Sequence, residues 1–129
     1  KETNRKYSDS RLSQRALREI YLRAFEIIVR EEQPWAIMSS YNVMNGRRAS
    51  ESRELLTDIL RGEWGYTGMV MTDWWTRGEH YKEILAGNDL KMANGYPERV
   101  REAMRHGVVT RSDLTACAIR ILALVLRIE

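Results

Sequence analysis

Short strand-like runs alternate along this chain with segments of helical periodicity, and this alternation limits its possible folds more than any other feature. The runs cover residues 35–40, 69–72 and 89–92, and the first two have the apolar character of strands buried on both faces. Strands separated by helices need crossover connections, which produce a parallel sheet. The sequence therefore predicts an α/β fold built from parallel β/α units.

Helical spacing of apolar residues predicts the remaining elements. The first helix begins at Ser13, a plausible N-cap, and ends near Glu32 because Pro34 cannot continue it. The last helix opens with Thr110 and Asp113 at the spacing of a capping box and is apolar on almost every face. Three more helices are predicted between them, near residues 50–62, 77–86 and 97–106. Gly62 lies near the end of the first of these three.

The length of the chain limits how complete this fold can be. An eight-stranded α/β barrel needs about 250 residues, and the chain has 129. Three strands make only a small sheet, and the last helix is too apolar to be half exposed. We therefore expect part of a larger α/β unit whose other portion covers these surfaces. Residues 1–5 contain neither an initiator methionine nor an apolar leader, which fits an interior cut.

Composition and charge argue against several classes of function. The net charge is +3, but basic and acidic residues alternate, so we expect no nucleic-acid partner. No apolar run reaches the roughly 18 residues that a membrane-spanning helix needs, so we expect no membrane partner. Cys117 has no partner for a disulfide and is expected in the core. His80 and His106 have no ligands at metal-binding spacing, so no metal site is predicted.

Polar and aromatic residues follow the first two predicted strands where each strand ends. Tyr41 follows the first strand, Asp73, Trp74 and Trp75 follow the second, and Tyr41 and Asp73 are 32 positions apart. The carboxyl ends of parallel strands lie at one edge, where α/β folds bind ligands. A carboxylate beside aromatic rings is typical of a sugar site. On spacing alone a second interpretation stays open, in which Asp73 caps the next helix and both tryptophans belong to the core.

Motifs along almost the whole chain resemble glycoside hydrolase family 3, the β-glucosidase and β-xylosidase family. Each motif alone is common, but all of them in order at natural spacing are specific. The matching stretches are residues 2–5, 15–22, 38–42, 45–46, 55–66, 72–74 and 86–90.

The resemblance implies a fold and an activity. The family fold is a (β/α)8-type barrel followed by an α/β sandwich, and residues 1–129 match the C-terminal portion of that barrel. The implied activity is hydrolysis of O-glycosidic bonds by a retaining β-glycosidase that needs no metal or organic cofactor. The implied partners are a β-linked oligosaccharide or glycoside, the remainder of the barrel and the sandwich domain.

The resemblance also assigns roles to five residues. Asp73 is similar to the catalytic nucleophile, and Trp74 to the residue that packs against the sugar in the −1 subsite. Tyr41 matches the tyrosine that hydrogen-bonds near the nucleophile, and Arg5 matches the arginine that binds sugar hydroxyls. Met38, which by its place in a strand is expected to fill core, matches a position lining the same pocket.

Several family features are missing or altered. A Lys-His pair belongs just upstream of this chain, and the general acid/base usually lies on the following domain. Glu51, Glu79 and Asp89 are near predicted strand-end loops, but no motif supports any of them as the proton donor. Trp75 stands where many members have glycine, and Ala93 where many have proline. The alternative function is a non-catalytic carbohydrate-binding or self-associating half-barrel module, which the apolar last helix modestly supports.

Overall fold

The computed structural model describes residues 3–129 as a mixed α/β structure, so Glu2 of the resemblance lies outside the described residues. The strands are β1 (Asp9–Ser10), β2 (Ala36–Ser39), β3 (Val43–Met44), β4 (Arg47–Arg48) and β5 (Met69–Thr72). The α-helices are α1 (Gln14–Ala16), α2 (Arg23–Glu32), α3 (His80–Ala86), α4 (Pro97–Arg105) and α5 (Arg111–Ile128). Two π-helical segments, Leu17–Tyr21 and Glu54–Glu63, and a 3₁₀ turn, Ala49–Glu51, complete the elements.

Strands β2 and β5 pair in parallel, with Ala36 opposite Met69 and Ser39 opposite Thr72. This pairing confirms the parallel arrangement that the alternation of strands and helices predicts. The predicted third strand at residues 89–92 is wrong in extent, because only Leu90 forms a bridge, to Met71. The ladder stops there because the next amide, that of Met92, donates to the Thr72 side chain instead of a backbone carbonyl.

A second, small sheet holds the N-terminal segment beside the loop that follows β2. Strands β3 and β4 are antiparallel, and β1 pairs in parallel with β3. The turn between β3 and β4 is made by Asn45 and Gly46, both at positive φ (49° and 83°), which suits a tight hairpin. The sequence predicts this turn but not the three-stranded sheet around it.

Local signals locate most helix ends. The Ser13 side chain accepts from the Ala16 amide, and Thr110 and Asp113 form a reciprocal capping box, so both predicted caps are confirmed. The first helix ends at Glu32 as predicted, but a π-helical turn interrupts it. Gly62 lies inside the second helical segment, and Gly65 takes the left-handed conformation just beyond its end.

The core lies between the β2–β5 pair and the helices around it. It is completed by half-buried side chains from the first helical segment, from β2 and from the Glu54–Glu63 segment. Cys117, a residue of α5, is buried, as predicted. The outer face of α5 stays open, with Leu126 73% exposed. Among residues 3–129, every helix is too short or too polar to cross a bilayer. The core residues are Val29, Leu56, Ile59, Leu60, Trp64, Tyr66, Val70 and Ala86.

Candidate functional site

Asp73 stands directly after β5, where the parallel ladder ends. Its amide donates to the Ser39 carbonyl at 2.9 Å, so its backbone continues the pairing with β2. Its carboxylate Oδ1 accepts from the Trp75 amide at 2.7 Å, and its carbonyl accepts from the Thr76 amide at 3.2 Å. Asp73 thus stabilises its own turn. The helix-cap interpretation is wrong, because the next helix starts only at His80.

Two tryptophan rings lie open to solvent beside this carboxylate. Trp74 is 58% exposed and Trp75 is 64% exposed, so neither belongs to the core. The Lys6 ammonium lies 4.7 Å from the centroid of the Trp75 ring, a cation–π contact that orders the ring. Exposed aromatic faces next to a carboxylate can hold the apolar face of a pyranose ring.

The end of β2 contributes Met38 and Tyr41 to the same edge. Met38 pairs with Met71 and is 56% exposed, so the expectation that it fills core is wrong, and its side chain is free to line a pocket. Tyr41 is buried, and its carbonyl accepts from an Arg48 guanidinium N–H at 3.4 Å. Within residues 3–129 no hydrogen bond joins Tyr41 to Asp73, so that contact stays a prediction.

Arg5 lies in the exposed turn that precedes β1. Its carbonyl accepts from the Asn42 side-chain amide at 3.2 Å, which places the turn against the loop after β2. The same segment contacts the loop after β5, where an Arg77 N–H donates to the Tyr7 hydroxyl at 3.1 Å. The structure therefore brings residues 3–8 to the edge formed by the two strand-end loops. We call this edge, residues 39–42 and 72–78, the strand-end rim.

A buried polar network lies beneath the rim, and sequence reasoning missed it. Glu83 of α3 is fully buried and forms an ion pair with Lys91, at 2.5 Å. The buried residues of α3 are Glu83 and Ala86, three positions apart on one helix face. A glutamate on the inward face of a predicted helix is the one signal that could have revealed the network. Its other members are Ser39, Ser50, Thr76, Gly78 and Asn88.

Three other carboxylates near the strand-end loops have structural partners. The side chain of Asp89 is fully buried, and its two oxygens accept from Arg61 at 2.8 Å and Arg120 at 2.6 Å. Glu51 accepts from the Glu79 amide at 2.8 Å, and the Glu79 carboxylate pairs with a guanidinium of α4 at 2.8 Å. Each acts as an acceptor in an ion pair or turn, which does not suit a proton donor.

The remaining titratable candidates have environments that favour the neutral form. Burial and, next, the Lys91 ammonium lower the pKa of His80, whose Nδ1 accepts from the Tyr96 amide at 3.3 Å. Burial raises the pKa of the Cys117 thiol, which suits a core residue rather than a nucleophile. In the described part of the chain, no three His, Cys, Asp or Glu side chains come together as a metal site.

Comparison with protein families and curated relatives gives consistent matches. The family model for the glycosyl hydrolase family 3 N-terminal domain matches residues 2–124. Beta-glucosidase A of Butyrivibrio fibrisolvens is 60% identical over 114 residues, which is 88% of this chain and 14% of that protein. An exo-alpha-(1->6)-L-arabinopyranosidase of Bifidobacterium longum is 45% identical over 118 residues, 91% of this chain and 16% of that protein. The chain thus spans about one-seventh of these relatives.

Solved structures match equally well. A family 3 beta-glucosidase of Bifidobacterium adolescentis superposes with a TM-score of 0.91 and 44% identity, over 97% of this chain and 19% of that one. Beta-glucosidase 3B of Thermotoga neapolitana, in complex with glucose, superposes with a TM-score of 0.88 and 40% identity, over 95% of this chain and 19% of that one. The mixed α/β fold is therefore that of a segment from enzymes whose N-terminal domain is a (β/α)8 barrel. This chain belongs to glycoside hydrolase family 3.

Proposed function

We propose that residues 1–129 form the C-terminal portion of the barrel domain of a retaining β-glycosidase of the β-glucosidase type. The observation that carries the proposal is Asp73 itself, a partly exposed residue at the carboxyl end of β5 that is followed by two exposed tryptophans. Family membership and the names of the relatives support the substrate class, a β-linked glycoside or oligosaccharide.

In the proposed mechanism Asp73 attacks the anomeric carbon. The bond from that carbon to the leaving-group oxygen breaks as the glycosyl–carboxylate bond forms, and water then hydrolyses the ester with retention. The Trp75 amide holds Oδ1, and no hydrogen bond within residues 3–129 engages Oδ2. One oxygen thus fixes the orientation of the carboxylate while the other is available to the substrate.

The proton for the leaving group comes from outside this chain. A retaining glycosidase needs a second carboxyl group about 5–5.5 Å from the nucleophile. Glu51, Glu79 and Asp89 already accept from amides or guanidinium groups, as described above. The remainder of the barrel and the following α/β sandwich domain are the proposed partners that supply the acid/base and complete the pocket.

The rim residues bind the sugar. Trp74 packs against the ring in the −1 subsite, and Met38, open at the end of β2, lines the same pocket. Tyr41 and Arg5 bind and orient the substrate without making or breaking bonds, and both lie next to Asn42 at the end of β2. The chemistry requires no metal or organic cofactor.

Covalent trapping tests the nucleophile. The full-length protein that carries this chain is incubated with a 2-deoxy-2-fluoro-β-glucoside bearing a good leaving group, then digested and analysed by mass spectrometry. We expect the label on the peptide that contains Asp73. Asp73→Ala should abolish labelling and reduce kcat by many orders of magnitude, because the covalent step is lost.

Asp58→Ala is the matched control, since this aspartate is exposed on the Glu54–Glu63 helix and forms a surface ion pair with Arg53 at 3.5 Å. It should be labelled and turn over like the parent. A label on another residue would contradict the assignment. Binding of the glycoside without any label or turnover would favour the non-catalytic module.

A further inference from the structure

The loop that carries Asp73 has no helix or strand of its own before His80. Such a segment loses much conformational entropy when it is ordered, so something must hold it. Two local hydrogen bonds, from the amides of Trp75 and Thr76 to Asp73, shape only its first turn. Partly exposed or exposed side chains contact Trp75, Arg77 and the Glu79 amide. Between them, Thr76 and Gly78 are held by buried side chains beneath the loop.

The Thr76 hydroxyl makes the first contact between the loop and the buried side chains. It donates its single proton to Glu83 Oε1 at 2.8 Å and accepts from the Gly78 amide at 3.2 Å. Since that proton is already used, the Ser50 hydroxyl, 3.1 Å away, must be the donor in the third contact. One hydroxyl thus joins the loop to α3 and to the 3₁₀ turn.

The Lys91–Glu83 ion pair fixes the other side of the loop. Their side chains are 3% and 1% exposed, and Lys91 Nζ also donates to the Gly78 carbonyl at 3.1 Å. Both backbone polar groups of Gly78 are therefore bound. A Cβ at position 78 would lie 2.2 Å from Glu83 Oε1, so only glycine allows this approach.

The network closes on the backbone of Asp73. Asn88 donates to the carbonyls of Ser50 at 2.7 Å and Glu83 at 2.9 Å, and its Oδ1 accepts from the Ser39 hydroxyl at 2.6 Å. The Ser39 carbonyl in turn accepts from the Asp73 amide at 2.9 Å. The nucleophile loop, the end of β2 and the end of α3 thus share one set of hydrogen bonds.

Stability alone is a weak reason for a buried ion pair in this place. Well-packed apolar side chains of similar volume are often as stabilising as a buried pair, or more so. An apolar pair makes no oriented hydrogen bonds, because it offers no donor for the Gly78 carbonyl and no acceptor for the Thr76 hydroxyl. Charge-assisted hydrogen bonds are short and strongly oriented, and they set the geometry of the loop.

We infer that the buried Lys91–Glu83 pair, acting through the Thr76 hydroxyl and the Gly78 backbone, positions the Asp73 loop for attack on the substrate. Glu83, Lys91 and Thr76 are positioning residues that act on the rate of the covalent step rather than on substrate affinity. The inference rests on the proposed function, since it takes Asp73 as the nucleophile.

The test compares Thr76→Val with Thr76→Ser in the full-length protein. Valine keeps the shape but removes the hydroxyl, whereas serine keeps the hydroxyl. We expect Thr76→Val to lower kcat and the rate of fluoro-glycoside labelling by about 10²-fold, the effect of a misplacement of about 1 Å. KM should change little, and Thr76→Ser should stay close to the parent in both constants.

Two further measurements separate positioning from folding. Val109→Ala removes buried apolar contacts far from the loop in sequence, and it should lower the melting temperature without lowering kcat. Hydrogen–deuterium exchange should speed up in the peptide spanning residues 73–79 for Thr76→Val but not for Thr76→Ser.

The outcomes separate this inference from the proposed function. Equal kcat values for Thr76→Val and Thr76→Ser would overturn the inference. It would also be overturned if Val109→Ala, at a similar loss of melting temperature, lowered kcat as much as Thr76→Val does. A label on a residue other than Asp73 in the parent would overturn the proposed function, whatever the Thr76 variants do. Glu83→Gln, if it folds, should reproduce the Thr76→Val effect on kcat and exchange.

Discussion

Around the strand-end rim, buried polar side chains find their partners within this chain, whereas on α2 and α5 large apolar side chains face solvent. The side chains of Glu83 and Lys91 are almost completely buried and pair with each other beneath the rim. Phe25 on α2 and Leu126 on α5 are 58% and 73% exposed. The polar contacts beneath the rim are made among residues 39–91, but the apolar helix faces are not covered by residues 3–129.

The difference follows from the range of the two interactions. Hydrogen bonds and ion pairs need specific partners at about 3 Å, and those partners come from neighbouring β/α units. Covering apolar area needs a second layer of structure, which in a barrel comes from elements far away in the chain. We therefore expect the chain to hold the geometry of its site while depending on the rest of the enzyme for activity and for shielding.

The largest expected effect concerns the isolated chain of 129 residues. It should show no saturable hydrolysis of nitrophenyl β-glucoside or β-xyloside. The reason is our proposal that the general acid/base, whose help is typically worth about 10²–10⁴-fold, and part of the sugar pocket lie outside these residues. It should also elute larger than a monomer in size-exclusion chromatography, since its apolar helix faces favour self-association.

Leu126→Lys, which places a charge on the exposed face of α5, should shift this elution towards the monomer without altering the circular dichroism spectrum. A monomer with ordinary turnover would contradict both parts of the prediction. It would mean that Glu51, Glu79 or Asp89 supplies the proton.

The second prediction compares the stability lost when a buried ion pair is broken with the stability lost when an exposed ion pair is broken. Lys91→Met leaves the Glu83 carboxylate buried without a counter-ion and should lower the free energy of unfolding by about 3–5 kcal/mol. The double variant Glu83→Gln/Lys91→Met should recover part of that loss, because no uncompensated charge remains. Denaturant unfolding of the full-length protein measures both.

The control for this prediction is Arg99→Met, which breaks the exposed pair with Glu79 and should cost only about 0–1 kcal/mol. If Lys91→Met and Arg99→Met lower the free energy of unfolding by the same amount, burial does not make the Lys91–Glu83 pair more costly to break than a surface pair.

The third prediction concerns Tyr41 at the rim. Tyr41→Phe removes a hydroxyl that we propose bonds near the nucleophile, so kcat/KM should fall by the equivalent of roughly 1.5–3 kcal/mol. The covalent intermediate should still be detectable by mass spectrometry. Tyr21→Phe, on the exposed side of the first helical segment, should leave the kinetics unchanged. Complete loss of labelling with the fold intact would refute the division between binding and bond-making residues.

The smallest expected effect is the pH dependence of stability at His80, beside the network. Burial, assisted by Lys91 and opposed by Glu83, lowers its pKa below the usual 6.5. The unfolded chain therefore takes up a proton near pH 6.5 that the folded protein resists, so stability is present above that pH and is lost as the pH falls below it.

Melting temperatures between pH 8 and pH 5 measure this effect, and His80→Gln should flatten the decline. Val109→Ala, which changes no titratable group, should lower the melting temperature without changing its dependence on pH. Identical profiles for His80→Gln and the parent would exclude His80 as the source.

Helix ends and the location of Asp73 at the end of a strand could be predicted because their signals are local. Ser13 and Thr110 cap helices and Pro97 begins one, as the chemistry of each residue requires. Asp73 could be found because polar residues after a buried strand lie at the binding edge of an α/β fold. The reduction of the third strand to a single bridge could not be predicted. The Thr72 side chain accepts from the Met92 amide, which would otherwise have continued the ladder.

The sequence by itself determined the parallel β/α plan, the family and the position of Asp73 at a strand end, because these depend on periodicity, capping and motif order. Only the tertiary structure decided that the Lys91–Glu83 pair lies beneath the loop and that Met38 is open rather than in the core. It also placed the turn containing Arg5 against the end of β2. Whether a charged side chain is buried and paired depends on what folds over it, and these contacts join residues from separate β/α units.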